Sequence, residues 1–313
     1  MSILSNVAPI SIIGASMIDI IGRSFEPIIV RDSNPGLIHM AAGGVSRNVS
    51  ENLARLGVPV NFITALGNDR LSEIIVDSCL QVDIDISHSF RSETKLANTY
   101  LAILDEQGDL ELALSDTTTL DELPIEHLEA KHEIIEQGQL IVIDASLTAE
   151  IVDYLLKRYP HKPIYLDPVS IGKSKHVKPS IGSFYMLKCN ILEAQFLSDM
   201  KIDSEDDFYL VANYFHQLGI KEVVITRGPK GIFYSLDNQQ GFYQHRPVEV
   251  INATGAGDAF LAGWIYSQLH NLSLMDKVKF ASEVAAYALE SRTTVSSVID
   301  TNKIMEAVKD GFK

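Results

Sequence analysis

The segment 252–258, Asn-Ala-Thr-Gly-Ala-Gly-Asp, has the residue types of a site that binds an anion and transfers a proton. It lies between a β-like run, 245–251, and a helix-like run, 259–269. Its two glycines would let backbone N–H groups point together at an anion, and the dipole of the following helix adds to the attraction. The carboxylate of Asp258 repels the same anion, unless it is the base that takes a proton from an attacking hydroxyl. The segment therefore predicts a phosphoryl-transfer site.

Three known patterns fit the chain to different degrees. A glycine-rich turn at a helix start, with Asp258 merely stabilising the first turn, accounts for residues 252–258 as well and stays open. A dinucleotide fingerprint would need a glycine at Phe260 and a place at the first strand–helix turn. A nucleotide-binding P-loop ending in the Gly-Lys-Ser of 172–174 would need an earlier glycine where Asp167 stands. These last two patterns do not fit.

Two segments near the start of the chain carry residues suited to a polar ligand. Gly43 and Gly44 would let a ligand approach the backbone closely, and the amide of Asn48 offers both a donor and an acceptor. Asp19 follows the first predicted strand, where ligands of parallel sheets bind, and its carboxylate could accept hydrogen bonds from sugar hydroxyls. A tight turn before a helix explains the first segment equally well, and a helix cap explains the second.

Two later segments have residues that could hold a nucleotide and its metal. Asn190 and Glu193 are three residues apart at a predicted helix start, so they share a face that suits water-mediated Mg²⁺ binding near phosphates. Thr226, Arg227 and Gly228 end a predicted buried strand with a flexible cationic turn. A simple capping pair and a plain strand–helix loop account for the same residues without a ligand.

Alternating apolar runs and amphipathic stretches must position these residues. Short runs rich in β-branched residues predict buried parallel strands, and the stretches between them predict helices. The predicted strands are 10–14, 60–65, 140–143, 164–166 and 222–226, and the predicted helices are 45–56, 72–79, 148–158, 206–218 and 274–289. This alternation indicates an α/β layer fold with right-handed crossovers.

Two segments break the alternation. The segment 19–40 has little helical period, and 95–114 alternates like an exposed hairpin around 105–109. Together they predict a small β-sheet lid over the main sheet. The predicted main α/β domain is then formed by residues 1–18, 45–88 and 118–313, and the lid by residues 19–44 and 89–117.

Composition limits the partners and the location of the protein. A chain of 313 residues can bury one large core, and its net charge of −15 argues against nucleic acid as a partner, since nucleic acid needs a basic face. No run approaches the ~20 apolar residues of a membrane span, and 1–11 lacks the layout of a signal peptide. Cys79 and Cys189 form no disulfide or metal pattern. We therefore predict a cytoplasmic protein with no membrane partner.

In their order along the chain, these motifs resemble the ribokinase-like (PfkB) family of carbohydrate and nucleoside kinases. The resemblance covers essentially the whole chain, from the strand ending in Asp19 and the glycine pair with Asn48 to the terminal Gly-Ala-Gly-Asp. It implies a Rossmann-like, three-layer α/β sandwich with a small β-sheet lid. It also implies ATP as the phosphoryl donor, Mg²⁺, and a small sugar or nucleoside as the acceptor.

The resemblance also implies a role for each matching position. Asp258 would be the base that deprotonates the acceptor hydroxyl, and the N–H groups of Gly255, Ala256 and Gly257 would form the anion hole. The other implied contacts are to the substrate from Asp19, Gly43, Gly44, Asn48 and Asp144, to ATP from Asn190, Thr226, Arg227 and Gly228, and to Mg²⁺ from Glu193.

A narrower resemblance is to the pseudouridine kinases of this family. It is carried by Asp-Ser-Asn-Pro-Gly at 32–36, by Arg-Asn at 47–48 and by the lid segment 99–105. Asn34 would then reach a base edge or ribose from the lid, although Ser-Asn-Pro-Gly is also a strong turn. The implied reaction is phosphorylation of the 5′-hydroxyl of pseudouridine. Ribose, another nucleoside or a keto-sugar acid as acceptor, and a catalytically silent ligand sensor, are the alternatives.

Three further points concern ions, adenine and assembly. Many potassium-activated relatives carry Asp where this chain has Asn252, which weakens the case for a bound monovalent cation without excluding it. The basic-then-glycine tail near the adenine of relatives is replaced by 290–294, so no adenine contacts are assigned there. A lid sheet has edges and one apolar face, so a homodimer through the lid is a family-level expectation.

Overall fold

The structure, a computed structural model, describes residues 8–236 and 239–310. Residues 1–7, 237–238 and 311–313 belong to the predicted main domain but lie outside the described part. The described strands are β1 Ile10–Ile13, β2 Met17–Ser24, β3 Gly36–Gly43, β4 Val60–Ile63, β5 Ala65–Leu66, β6 Phe90–Arg91, β7 Thr99–Leu104, β8 Leu110–Asp116, β9 Ile141–Asp144, β10 Ile164–Asp167, β11 Met186–Asn190, β12 Glu222–Thr226, β13 Ile232–Leu236 and β14 Gln239–Tyr243. The described helices are α1 Val45–Arg55, α2 Arg70–Leu80, α3 Ile125–Ala130, α4 His132–Gln137, α5 Ala149–Arg158, α6 Ile171–Ser174, α7 Ile191–Ser198, α8 Glu205–Leu218, α9 Ala256–Leu269, α10 Leu274–Leu289 and α11 Thr301–Asp310.

An eight-stranded sheet forms the centre of the molecule, in the order β14-β13-β12-β11-β10-β9-β1-β4. The six strands from β12 to β4 run parallel, and β13 and β14 continue the sheet antiparallel. Ile12 of β1 belongs to a core that contains Trp264 of α9. Its neighbour Ile13 belongs to a second core, which contains Phe215 of α8. Helices therefore cover both faces, and the predicted three-layer α/β sandwich is confirmed.

The predicted strands and helices are all present, with bounds that differ by a few residues. One predicted run is wrong: 245–251 forms no strand, because β14 is the last strand of the sheet and this segment pairs with nothing beyond it. Pro247 within it has no N–H group to give to a ladder. Three strands of the large sheet were not predicted, namely β11, β13 and β14. Lys188 interrupts the apolar run of β11, which lies between β10 and β12.

The lid is a separate four-stranded sheet in the order β3-β2-β7-β8. Strands β7 and β8 form the predicted antiparallel hairpin, and Gly108 in its turn has φ 96°. Strand β6 pairs with β5 instead of joining this sheet. The division of the chain into a main domain and a lid with the bounds given above stays a prediction.

The fold places the candidate site at one edge of the large sheet. Strands β9, β10, β11 and β12 are parallel, so their last residues, Asp144, Asp167, Asn190 and Thr226, lie along the same edge. Ligands of open α/β sheets bind in the crevice outside this edge. Among the described residues, no helix is both long and apolar enough to cross a membrane.

Candidate active site

Helix α9 begins at the glycine-rich segment that predicts the site. Gly255 precedes its first residue with φ 86°, and a Cβ atom there would lie 2.2 Å from the carbonyl oxygen of Thr294. Glycine is therefore the residue that fits this position without moving the chain. Because the helix starts at Ala256, the N–H groups of Ala256 and Gly257 have no acceptor within it. They remain available for an anion, with the positive end of the helix dipole behind them.

Asp258, the third residue of α9, is buried at this helix start. The Nδ2 group of Asn48 donates a hydrogen bond to its Oδ2 at 2.9 Å. Burial raises the pKa of Asp258 to about 7, with Lys188 lowering that pKa and Asp167 raising it. A carboxyl group with this pKa takes up and releases a proton near neutral pH, as a general base must. The structure thus joins two predicted site residues that are 210 positions apart.

Lys188 is a site residue that the sequence reasoning missed. Its Nζ donates to Asp167 Oδ2 at 2.7 Å, and a Cβ atom on Gly257 would lie 2.6 Å from the same Nζ. The ammonium group therefore lies against the anion-binding start of α9. Burial alone would lower the pKa of Lys188, but the charges of Asp167 and Asp258 outweigh it, so that pKa is raised. A lysine inside a buried parallel strand was the available signal, because lysine is almost never fully buried without a partner.

Asp167 also holds the turn that follows β10. Its Oδ1 accepts a hydrogen bond from the N–H group of Val169 at 2.9 Å, and Val169 has φ 64°. This backbone conformation is rare for a β-branched residue, and such strain is concentrated at functional sites. One carboxylate therefore fixes both the strained turn and the ammonium group of Lys188.

Asp19 and the two glycines of the first segment lie where the lid joins the main sheet. Burial raises the pKa of Asp19 to about 6, and the charge of Arg47 opposes this rise. A Cβ atom on Gly43 would lie 2.1 Å from Asp19 Oδ2. Gly44 has φ 97°, and a Cβ atom there would lie 2.6 Å from the carbonyl oxygen of Ala15. The glycines thus leave room for the carboxylate of Asp19 and for the chain at Ala15, and their predicted contact with substrate stays a prediction.

Asp144 lies beneath the site. It is fully buried, and its carboxylate accepts hydrogen bonds from Ala15 N at 2.8 Å, Ser46 Oγ at 2.5 Å and Ser146 N at 2.8 Å. These bonds tie the end of β1 and the start of α1 to β9. The arrangement favours a supporting role, and the predicted substrate contact of Asp144 stays a prediction.

Asn34 lies far from Asp258 within this chain. Its side chain accepts from Ile29 N at 2.8 Å and donates to the carbonyl oxygens of Ile29 and Asp32, which closes a turn at the surface. Strand β3 runs from this turn to Gly43 in seven residue steps, or about 23 Å at the usual rise of a strand. The structure supports the turn interpretation of this residue, and its predicted contact with substrate stays a prediction.

The predicted nucleotide residues surround one cavity only in part. A cavity of about 820 Å³ is lined by Thr226, Gly228, Ala256 and Gly257. Its remaining walls are mostly apolar, with Pro229, Ile232, Val248, Val250, Ala285 and Leu289. Arg227 does not line this cavity: its guanidinium donates to Glu205 at 3.0 Å and lies 4.3 Å from the ring centroid of Phe242. Its predicted contact with ATP stays a prediction.

Asn190 and Glu193 form a capping box at the start of α7. Asn190 Oδ1 accepts from Glu193 N at 2.9 Å, and Glu193 Oε2 accepts from Asn190 N at 2.9 Å. Burial and the charge of Asp167 raise the pKa of Glu193. Within 8–236 and 239–310, no group of three or more His, Cys, Asp and Glu residues could hold a metal ion. The capping box is present, and the predicted contacts of Asn190 with ATP and of Glu193 with Mg²⁺ stay predictions.

Comparison with known proteins identifies the family. The sequence profile of the pfkB family of carbohydrate kinases matches residues 8–302. The chain belongs to the pfkB family. It is a phosphotransferase that acts on a hydroxyl group of a sugar or nucleoside, as the resemblance implied.

Several similar proteins are described as kinases, and the similarity extends over nearly their whole length. The pseudouridine kinase of Escherichia coli K12 is 30% identical over 300 residues, which cover 96% of this pfkB kinase and 96% of that enzyme. A Clostridium perfringens structure described as a sugar kinase has a TM-score of 0.86 and 34% identity, with 97% and 96% of the two chains covered. The ribokinase of Arabidopsis thaliana, solved with ribose and ATP, shares the fold, with a TM-score of 0.81 at 17% identity and coverage of 97% and 99%.

Proposed function

We propose that this pfkB kinase transfers the γ-phosphoryl group of ATP to the 5′-hydroxyl of pseudouridine. The observation that carries the proposal is the buried Asp258 at the start of α9, held by Asn48 and adjoining the charge of Lys188. Similarity to the E. coli pseudouridine kinase along nearly the whole chain supports the choice of acceptor. The segments 32–36 and 47–48 support it as well.

The proposed reaction begins with the acceptor hydroxyl beside Asp258. Its oxygen attacks the γ-phosphorus, its proton moves to the carboxylate, and the bond from phosphorus to the oxygen of ADP breaks. Asn48 fixes the orientation of the carboxylate through its bond to Oδ2. Because the pKa of Asp258 is about 7, the base is ionised in a large fraction of molecules just above neutral pH.

Groups at the start of α9 stabilise the negative charge on the transferring phosphoryl group. The N–H groups of Gly255, Ala256 and Gly257 act as preorganised donors, and the ammonium group of Lys188 adds a full charge next to Gly257. Preorganised donors in a buried site contribute most of the catalysis in phosphoryl transfer. Asp167 holds Lys188 in place for this role.

ATP would occupy the cavity between the turn after β12, the start of α9 and the second half of α10. Thr226 and Gly228 lie at its phosphate side together with Gly257, and its apolar walls suit a purine ring. The Arabidopsis ribokinase complex with ATP supports this donor. In this orientation the phosphates are the part of the nucleotide nearest the start of α9.

Mg²⁺ fits the donor set beside this cavity. The capping box leaves Oε1 of Glu193 to face a metal-bound water, and Mg²⁺ keeps several waters when phosphates bind it. A bound cation would favour the charged form of this buried carboxyl group, whose pKa is raised in its absence. When bound, Mg²⁺ would neutralise part of the negative charge of the phosphates. A monovalent cation is not part of the proposal, since Asn252 Oδ1 accepts from Thr254 N within its own turn.

The acceptor would lie between Asp258 and the base of the lid. Asp19 would accept hydrogen bonds from its sugar hydroxyls, and the absence of a side chain at Gly43 leaves room for the carboxylate of Asp19. A panel of pseudouridine, uridine, adenosine, ribose and a keto-sugar acid, with ATP and product masses measured, tests the proposal. The highest kcat/KM is expected for pseudouridine. Equal rates with uridine or ribose would refute the narrow acceptor, and tight binding without any phosphorylation would support the sensor alternative.

We also propose that two lids pair in a homodimer. One face of the lid sheet carries Ile38, Met40, Leu101, Leu112 and Leu114, and all five are exposed. Strand register places them on the face opposite Asp19. Soluble monomers rarely expose so large an apolar patch. Light scattering should give twice the chain mass for the wild type and one chain mass for Leu112→Lys; a monomeric wild type would overturn the proposal.

A further inference from the structure

Arg47 is a buried arginine at the junction of the lid, helix α1 and the candidate base. It is the third residue of α1 and is 6% exposed. It follows the glycine pair that ends β3, and it precedes Asn48 directly. Arginine is rarely buried without a structural or binding reason. The roles proposed above assign it none.

Three groups of the protein engage its guanidinium. Nη1 donates to the carbonyl oxygen of Ala42 at 3.0 Å and to Oδ1 of Asn48 at 3.4 Å. Nη2 forms an ion pair with Glu51, one turn further along α1. Nε is buried and has no hydrogen-bond partner among the described residues. The guanidinium therefore joins the last part of a lid strand to the first turn of the helix.

The bond to Asn48 determines which end of that amide faces Asp258. An amide has one acceptor oxygen and one donor nitrogen, so an oxygen turned to Arg47 leaves the NH₂ group for the carboxylate. Asn48 Nδ2 does donate to Asp258 Oδ2, at 2.9 Å. Arg47 thus acts on the base through one intervening side chain.

The bond to Ala42 places the positive charge beside Asp19. Ala42 is the register partner of Ile18, so Asp19 is the next residue on the neighbouring strand. The charge of Arg47 opposes the burial that raises the pKa of Asp19. Lys188 of β11, Asp167 of β10 and Asp144 of β9 act on Asp258 instead.

We propose that Arg47 is a positioning residue of the acceptor side, which faces its charge to Asp19 and turns the Asn48 amide toward Asp258. This proposal rests on the proposed function, because it assumes that Asp19 binds acceptor hydroxyls and that Asp258 is the base. Asp19 must be ionised to accept these hydrogen bonds, so acceptor affinity is lost as pH falls through its pKa of about 6. The ionisation of Asp258, whose pKa is about 7, acts on kcat instead. Loss of Arg47 raises the pKa of Asp19, and the loss of acceptor affinity then begins at higher pH.

The chain offers a matched control on the same helix. Arg55 donates to the same Glu51 from the other side, with Nε at 2.8 Å and Nη2 at 2.7 Å. Arg55→Met therefore removes one of the two arginines that contact Glu51, and it leaves the bonds of Arg47 to Ala42 and Asn48 in place. Arg47→Lys keeps the charge beside Asp19 but lacks the planar donor set that reaches both oxygens.

For the wild type and the three variants, the experiment measures KM for acceptor and ATP, the pH profile of 1/KM for the acceptor, and the melting temperature. Arg47→Met should raise the acceptor KM about tenfold, as expected for a lost bond to a charged group, and move the acidic limb to higher pH. The ATP KM should stay unchanged. Arg47→Lys should restore the acidic limb, and Arg55→Met should match the wild type in both readouts.

Two results would overturn the role of Arg47. One is an acidic limb of Arg47→Met that coincides with those of the wild type and Arg55→Met. The other is an equal rise of both KM values with a lowered melting temperature, which indicates a structural role only. Because the profile is measured with whichever acceptor the wild type phosphorylates, failure of pseudouridine as acceptor is a separate outcome. It would refute the proposed substrate while the role of Arg47 is still decided.

Discussion

The phosphate end of the site, formed by Asp167, Lys188, Asp258 and the start of α9, differs from the lid in how its polar groups are held. The three side chains are all buried, and each carries a charge that another offsets. In the lid, Asn34 lies in a surface turn, and the outer face of the sheet is apolar and exposed. Catalytic side chains that are held at the end of a packed sheet can carry out the same reaction with different acceptors. We therefore expect the acceptor choice to depend on the lid.

The largest effect is expected at the phosphate end. Asp258→Asn should lower kcat by roughly 10²–10⁴-fold, the usual contribution of a general base. ATP binding should persist, since the amide has nearly the same shape. A coupled assay of ADP release measures the rate, and Asp276→Asn, which alters a half-buried carboxylate in the first turn of α10, is the control variant. Turnover near the wild-type rate in Asp258→Asn would remove the base from the mechanism.

Lys188 should be next in importance. Lys188→Met should lower kcat by about 10²-fold or more, comparable to the loss of one donor to a developing oxyanion. Since the charge of Lys188 lowers the pKa of Asp258, its loss should raise that pKa and move the acidic limb of kcat to higher pH. The double variant Asp167→Asn with Lys188→Met avoids a buried unpaired carboxylate and controls for folding. An unchanged kcat and limb in both variants would contradict the assignment.

A smaller effect is expected at the wall of the nucleotide cavity. Arg246 donates to Glu283 at 2.9 Å and to Glu290 at 2.7 and 3.0 Å, which holds the strand-free segment after β14 against α10. Arg246→Leu should raise the ATP KM roughly three- to tenfold, or about 1 kcal/mol, with the acceptor KM unchanged. Arg91→Leu, which breaks the exposed pair with Glu73, is the control. Equal changes in both KM values would show a general loss of structure.

The smallest effect is expected in the lid turn. Asn34→Ala removes hydrogen bonds inside the turn, so it should lower stability by about 1 kcal/mol and change the pseudouridine KM by less than about threefold. Thermal melts and initial rates measure the two quantities. A large rise in KM, with uridine unaffected, would instead show that lid movement or a second copy brings Asn34 to the acceptor. That result would transfer substrate recognition to the turn.

The sequence predicts the phosphate end better than the lid for a physical reason. Segment 252–258 is local: its glycines and Asp258 follow one another, so the chain itself sets their relation. The run 245–251 alternates like a strand, but a strand needs a neighbour, and the sheet ends at β14. Lys188 could not be placed from periodicity, because its partner Asp167 lies on another strand. The hydrogen bonds of Asn34 depend on a turn geometry that residue types alone leave open.

The hydrogen bond between Asn48 and Asp258 also bears on the order in which the parts of the site form while the chain is being translated. Its two residues are 210 positions apart, and the sheet between them must be complete before they can meet. Contacts of such long range form slowly, because the intervening chain must first be ordered. A nascent chain therefore carries its lid and every described strand of its sheet before it has a base. Catalytic activity becomes available only when helix α9 has left the ribosome.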